Sequence, residues 1–137
     1  MIVGDNWENI SNFKLVTKEL KNFRYVIYDK DVQYEDYPKF YQQMRIYLSV
    51  SEYEGGPIPA LEALACGVPV VLSDTGFARN LVVSGNNGYV FPVNDLDLAE
   101  YFLRLAYAGK FDDPRQSIIN YTWENYARKI WQGLVRL

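Results

Sequence analysis

The sequence contains no histidine, and only one of its 137 residues is a cysteine. Without histidine there is no Ser-His-Asp or Cys-His nucleophile, no imidazole acid–base catalyst and no His-ligated metal. The single cysteine, Cys66, forms neither an internal disulfide nor a Cys-x-x-Cys metal site. We therefore expect a reducing, cytoplasmic setting.

An excess of basic charge and a long apolar run are also missing. The chain has 14 Lys and Arg against 17 Asp and Glu, which gives no reason to expect a nucleic-acid partner. The longest apolar run, around residues 60–72, is interrupted by Glu62, Gly67 and Pro69 and is shorter than the ~20 residues that span a bilayer. No N-terminal stretch has the residue order of a signal peptide.

What the chain does have is apolar residues in alternating strand-like and helix-like segments. Hydrophobic residues make up 49% of it, enough for one core, so we expect a single domain over residues 1–137. Compact apolar runs predict strands, and spacings of three and four residues predict helices. The predicted strands are 2–3, 23–28, 46–50, 70–72 and 89–91. The predicted helices are 7–21, a short helix that begins at Pro38, 58–65, 81–83, 96–108, and one or two helices after Pro114. Gly67 is expected to end the helix at 58–65, and Asp95 is expected to cap the start of the helix at 96–108.

Among the predicted strands, continuously apolar ones outnumber alternating ones, which is typical of a parallel sheet that helices cover on both faces. The fold class is therefore α/β with a Rossmann-like sheet. Ligands of such sheets bind at the carboxyl ends of the strands. This directs attention to the loops at 28–37, 51–58 and 73–80. We expect the Asn86-Asn87-Gly88 sequence to form a tight turn before the strand at 89–91.

The segment SEYEGGPIPALE, residues 51–62, predicts a strand-to-helix turn that accepts an anion. Gly55 and Gly56 permit a ligand to approach the backbone, and Pro57 and Pro59 suit a helix start. We expect the first N–H groups of the helix to be free for a phosphate or diphosphate, namely those of Ile58, Ala60 or Leu61. An ordinary turn and helix cap also explains Gly-Gly-Pro.

Glu54 and Glu62 favour a ligand over that plain alternative. A carboxylate accepts hydrogen bonds from both hydroxyls of a vicinal diol, as found in ribose and hexoses. A phosphate-binding helix start between two such carboxylates suits a nucleotide sugar. The alternatives are a Glu62 that only complements the helix N-terminus and a Glu54 that is a solvated loop residue.

The run EGGPIPALEALACGVPVVLSDTG, residues 54–76, closely resembles the signature of family 4 glycosyltransferases. That signature is a glutamate, seven residues and a second glutamate, then a helix ending near Cys-Gly, Pro-Val-Val and Ser-Asp-x-Gly. SGNNGYVFPVND (84–95) and WENYARKIW (123–131) resemble the family's closing strand and final helix. The resemblance implies one half of a GT-B fold, the C-terminal domain that binds the nucleotide-sugar donor.

The resemblance implies a role for each matching residue. Glu62 would hold the ribose hydroxyls, Glu54 would contact the transferred sugar as the catalytic carboxylate, and the amides near Ile58 and Pro59 would hold the diphosphate. Further donor contacts are implied for Gly55, Gly56, Pro57, Asp74, Thr75 and Gly76. Asp74 and Thr75 have the alternative role of capping the segment that follows them.

The resemblance also implies that the domain needs no metal and no cofactor. The chain departs from the family pattern at several positions. Gly56 stands where the family often has an aromatic residue, and Phe77 stands where it often has a glycine. The Arg and Lys that such enzymes usually place on the diphosphate would precede Met1, as would the acceptor-binding N-terminal domain. We therefore expect a donor-binding half of a retaining hexosyltransferase that is inactive alone, with the full enzyme at the cytoplasmic face of a membrane if its acceptor is lipid-linked.

Two other functions are compatible with the sequence. One is a free-standing, non-catalytic module that binds a nucleotide sugar or a partner protein. The other, less favoured, is a nucleotide-sugar epimerase, which needs other acid–base residues. For the remaining features we expect Cys66 to be a small core residue. Trp123 and Trp131 should pack on the core or cover the interface to the missing domain.

Overall fold

The computed structural model describes residues 33–135, and the predicted strands at 2–3 and 23–28 and the helix at 7–21 lie outside that range. In chain order the elements are α1 (Tyr37–Gln42), β1 (Tyr47–Ser49), α2 (Ile58–Ala65), β2 (Val70–Ser73), α3 (Ala78–Leu81), β3 (Gly88–Phe91), α4 (Leu96–Ala108) and α5 (Trp123–Val135). Short 3-10 turns at Tyr34–Asp36 and Pro114–Ile118 complete the list. The two helical segments expected after Pro114 are confirmed.

The described strands form one parallel sheet in the order β1-β2-β3. Tyr47 pairs with Val70, and Val70 pairs with Gly88. Alternate residues of β2 point to opposite faces, so Val70 and Leu72 join a core with α1 and α2, whereas Val71 joins a core with α4. The expectation of a parallel sheet covered by helices on both faces is confirmed.

Helix α2 ends in a glycine motif that the sequence had indicated. Gly67 adopts a left-handed conformation, with φ +81°. Its N–H donates to the carbonyl of Leu64, and the N–H of Val68 donates to that of Ala63. This pair of bonds is a Schellman motif, which satisfies the last carbonyls of the helix and turns the chain toward β2.

The helix predicted at 81–83 is wrong in position, because α3 spans Ala78–Leu81 and Val82 is already extended. Ala78 and Leu81 are the buried residues of that turn, three positions apart, and they fix which residues are helical. The tight turn before β3 also differs in detail. Its left-handed residue is Gly85 rather than either asparagine, and Gly88 belongs to the strand.

Asn87 holds the end of α3, the turn and the C-terminal region together. Its side chain is fully buried; Oδ1 accepts from the N–H of Val83, and Nδ2 donates to the carbonyl of Leu81 and to Ser117 Oγ. Three partners for one buried amide satisfy nearly all of its hydrogen-bonding capacity. The side chain therefore explains why the chain leaves the helix at residue 82.

We expect Asn87→Ala to lower the free energy of unfolding by about 2–3 kcal/mol, because it leaves buried polar groups without partners. Urea denaturation followed by circular dichroism measures the change. Asn86→Ala is the control, because its exposed side chain should alter stability by less than about 0.5 kcal/mol. Equal stabilities of the two variants would contradict the role assigned to Asn87.

Candidate functional site

Two loops at the carboxyl edge of the sheet lie directly against each other. One follows β1 and contains Glu54 and Gly56, and the other follows β2 and contains Gly76. A Cβ atom on Gly76 would lie 3.1 Å from the carbonyl oxygen of Glu54 and 3.4 Å from the Cα of Gly56. Because Gly76 also has φ +53°, this close contact requires a glycine.

A side-chain hydrogen bond joins the same two loops. Ser73, the last residue of β2, donates its hydroxyl to the carbonyl of Ser51, with 2.6 Å between the oxygens. Ser73 ends β2 and Ser51 lies two residues beyond the end of β1, so the pairing of the two strands determines which loop residues meet. Glu54, Gly56 and Gly76 are thereby brought together as the sequence predicted, although Gly56 and Gly76 are 20 positions apart in the sequence.

Phe77 packs on the glycine turn from the other side. A Cβ atom on Gly56 would lie 2.7 Å from Cε1 of the Phe77 ring, whereas a Cβ on Gly55 would meet nothing within 4 Å. The ring also packs against the core on the α1 and α2 side of the sheet. The Phe77 ring therefore occupies the space into which a side chain at position 56 would extend.

The amides at the start of α2 are arranged differently from the prediction. Ile58 donates to the carbonyl of Gly56, and Ala60 and Leu61 both donate to that of Pro57. The prediction that these three N–H groups are free is therefore wrong, because the first turn closes tightly on itself. Within residues 33–135, the N–H groups of Gly55 and Gly56 have no acceptor, so they are among the amides at this edge that are open to a ligand.

Glu54 is half-buried and held by a neighbouring hydroxyl. Ser51 Oγ lies 3.0 Å from Glu54 Oε1, and Ser49 Oγ lies 3.3 Å from Ser51 Oγ. The carboxylate is therefore not the freely solvated group of the plain alternative. Its Oε2 atom has no donor among the described residues, which leaves it available to a ligand.

Glu62, in the second turn of α2, is held by a residue that sequence reasoning did not assign to the site. The hydroxyl of Tyr41 donates to Glu62 Oε2 across 2.7 Å. Burial and the hydrogen bond to Glu62 raise the pKa of Tyr41 far above its ordinary value, so the hydroxyl stays protonated. Because 21 residues and a different helix separate the two, no local pattern could have indicated the contact.

Asp74 and Thr75 make local contacts, but neither side chain caps α3, whose N-cap residue is Phe77. Arg79 donates its Nε to Asp74 Oδ2 at 2.7 Å, and this bond lowers the pKa of Asp74. Thr75 supplies its carbonyl to the N–H of Ala78 at the start of α3. The donor contacts implied for Asp74 and Thr75 stay predictions, and so do those for Pro57, Pro59 and Gly76.

Cys66 closes α2 and is half-buried. Burial raises the pKa of its thiol, and the negative charge of Glu62 raises it further. Both effects disfavour the reactive thiolate. Cys66 packs beside the core on the α1 and α2 side of the sheet, in agreement with the expectation of a small packing residue.

The two tryptophans of α5 do not pack on the core. Trp123 is 84% exposed and Trp131 is 68% exposed, and α5 has no buried residue. The core-packing expectation is therefore wrong, since the apolar face of α5 lies away from the sheet. The other expectation, that they cover an interface, stays a prediction.

Residues 33–135 contain neither a cluster of metal ligands nor a membrane-spanning helix. No three Asp, Glu or Cys side chains come together there in a way that could hold a metal ion. None of the helices in that range combines the length and the hydropathy needed to cross a bilayer.

The fold is that of one half of a GT-B glycosyltransferase, and two solved structures share it. The apo form of the lipopolysaccharide outer core galactosyltransferase WaaB superposes with a TM-score of 0.69 over 96% of this chain and 39% of its own, at 18% identity. The sucrose-phosphate synthase of Thermosynechococcus elongatus gives 0.71 over 98% of this chain and 35% of its own, at 22% identity.

The chain belongs to the family "Glycosyl transferases group 1", whose sequence profile matches residues 1–124. O-antigen chain mannosyltransferase B of Escherichia coli is 38% identical over 93 residues, which are 66% of this chain and 23% of that protein. The lipopolysaccharide core biosynthesis mannosyltransferase LpsB of Rhizobium meliloti is 32% identical over 117 residues, 76% of this chain and 33% of that protein. The chain thus spans a third or less of the length of these two relatives.

We expect Gly56→Ala to lower the free energy of unfolding by about 1–2 kcal/mol, because the new methyl group displaces the Phe77 ring. In a Phe77→Ala background the same change should cost less than about 0.5 kcal/mol. A double-mutant cycle by urea denaturation measures this coupling.

Gly55→Ala is the matched control, since its Cβ points into open space. This change should be neutral or slightly stabilising. If Gly55→Ala and Gly56→Ala destabilised the domain equally, or if the Phe77 background made no difference, the packing of Phe77 on Gly56 would not control the turn.

Proposed function

We propose that this chain binds the nucleotide-diphosphate sugar donor of a hexosyltransferase. The observation that carries the proposal is the pair of carboxylates, Glu54 and Glu62, each fixed by one hydroxyl donor, on either side of a glycine turn with two open amides. Membership of the glycosyltransferase family and the names of the relatives agree with it.

In the proposed complex the two glutamates bind the two sugars of the donor. Glu62 accepts hydrogen bonds from the ribose hydroxyls, and Glu54 contacts the hexose that is transferred. Each carboxylate has an oxygen without a protein donor among the described residues, which suits binding to sugar hydroxyls. Mannose is the first hexose to test, because two relatives are named mannosyltransferases.

The diphosphate lies over the glycine turn in this proposal. The N–H groups of Gly55 and Gly56, together with the positive end of the α2 dipole, stabilise the negative charge that the diphosphate acquires as it leaves. Gly76 keeps the second loop close without placing a side chain over the turn. Transfer with retained stereochemistry is the outcome we expect from the family.

The acceptor and the partner domain belong to the rest of the proposed enzyme. The named relatives act on O-antigen chains and the lipopolysaccharide core, so a glycan or glycolipid hydroxyl is the acceptor class to test. Since the chain spans a third or less of these relatives, we propose an additional acceptor-binding domain. The exposed apolar face of α5, with Trp123 and Trp131, is the surface we assign to that domain.

We expect calorimetric titration of the 137-residue chain with UDP-glucose and GDP-mannose to detect binding of at least one donor. Glu62→Gln should weaken that binding tenfold or more, because charge-assisted hydrogen bonds to the ribose are lost, at about 1.5–3 kcal/mol. Glu124→Gln, on the exposed surface of α5, is the control and should bind as the wild type does. Unchanged affinity of Glu62→Gln would refute the ribose role.

A further inference from the structure

Tyr41 is a polar side chain buried at the back of the proposed site. It lies on α1 and is 2% exposed. Its ring is held by three other aromatic rings, with centroid distances of 6.5 Å to Tyr37, 5.8 Å to Phe40 and 6.4 Å to Tyr47. So many ring contacts leave the side chain little freedom to change its conformation.

The hydroxyl of the Tyr41 ring donates a hydrogen bond to the carboxylate of Glu62. The 2.7 Å bond to Oε2 is short, as expected when the acceptor is charged. Tyr41 reaches Glu62 from α1, whereas Glu62 stands on α2, so the bond ties the carboxylate to a second element. A glutamate held only by its own helix would sample several conformations of its three χ angles.

We propose that Tyr41 is a positioning residue that fixes the Glu62 carboxylate for the two hydroxyls of the ribose. This inference rests on the proposed function, which assigns the ribose to Glu62. Tyr41 itself touches no ligand in this proposal. It acts by holding Oε2, so that the carboxylate is already oriented when the nucleotide arrives and less entropy is lost on binding.

The hydrogen-bonding capacity of the carboxylate leaves room for both hydroxyls. An ionised carboxylate offers about four acceptor positions, two on each oxygen. Tyr41 occupies one position on Oε2, and the described residues occupy none on Oε1. Two ribose hydroxyls therefore find acceptors without displacing Tyr41.

The test compares ribose with 2′-deoxyribose, because a fixed Glu62 should discriminate between them. The probes are UDP and GDP with their 2′-deoxy counterparts, titrated into the 137-residue chain. In the wild type the ribonucleotide of the preferred base should bind more tightly. In Tyr41→Phe, which keeps the ring, we expect this preference to fall about fivefold, because the 2′-deoxynucleotide, which has only its 3′-hydroxyl for Glu62, loses less affinity than the ribonucleotide. A purely structural loss would weaken both ligands alike and leave their ratio unchanged.

Tyr47→Phe is the matched control, because it removes another buried hydroxyl from the same ring cluster and leaves the hydrogen bond from Tyr41 to Glu62 in place. Its ribose preference should equal that of the wild type. Glu62→Gln separates the two proposals. If it abolishes the preference and Tyr41→Phe retains it, the role of Tyr41 is overturned and the ribose role of Glu62 stands. If the wild type shows no preference, the ribose assignment itself fails.

A crystal structure of the wild-type chain with UDP or GDP bound tests the same inference without a variant. The Tyr41 hydroxyl should stay within about 3 Å of Glu62 Oε2 while the ribose hydroxyls occupy the remaining acceptor positions. A Glu62 side chain that leaves Tyr41 to reach the ribose would overturn the proposal, even if Tyr41→Phe did not fold.

Discussion

The contact between two backbone turns is the constraint on which the rest of the site depends. The turn at Gly55-Gly56 and the turn at Gly76 approach so closely that a methyl group on Gly76 would crowd the Glu54 carbonyl. Parallel pairing of β1 with β2 brings the turns to the same edge, and glycine lets them touch. Glu54, the start of α2 and Asp74 all lie on these turns, so their relative positions follow from this contact.

The charges around this edge are unusual for a site that would hold a diphosphate. Arg79 is the single basic residue in loops 51–57, 73–80 and 92–95, and its guanidinium is held by Asp74. These three loops therefore offer the proposed diphosphate amides and a helix dipole rather than a free cation. Glu54 and Glu62 would repel the phosphates, which fits a division in which carboxylates bind sugars and amides bind phosphate.

The sequence predicted features that depend on neighbouring residues and missed those that depend on packing. The strand predicted at 70–72, which is observed as Val70–Ser73, the Gly67 cap and the Asp95 cap follow from local chemistry, and all three are confirmed. The α3 position was missed because the burial of Ala78 and Leu81, together with the Asn87 side chain, decides it. The Tyr41 contact was missed because it joins residues 21 positions apart on different helices.

Gly56 and Phe77, which both depart from the family pattern, are in contact, so the two departures are structurally linked. The Phe77 ring fills the space above Gly56, so a large side chain at 56 and a ring at 77 exclude each other. A chain with an aromatic at 77 therefore needs glycine at 56, and an aromatic ring from the neighbouring loop packs against the side of the turn to which a residue-56 side chain would point. Gly56 taken alone, or Phe77 taken alone, suggests a lost contact. Because the Phe77 ring fills the space that a side chain at position 56 would use, the two residues together keep this region packed beside the open amides of Gly55 and Gly56.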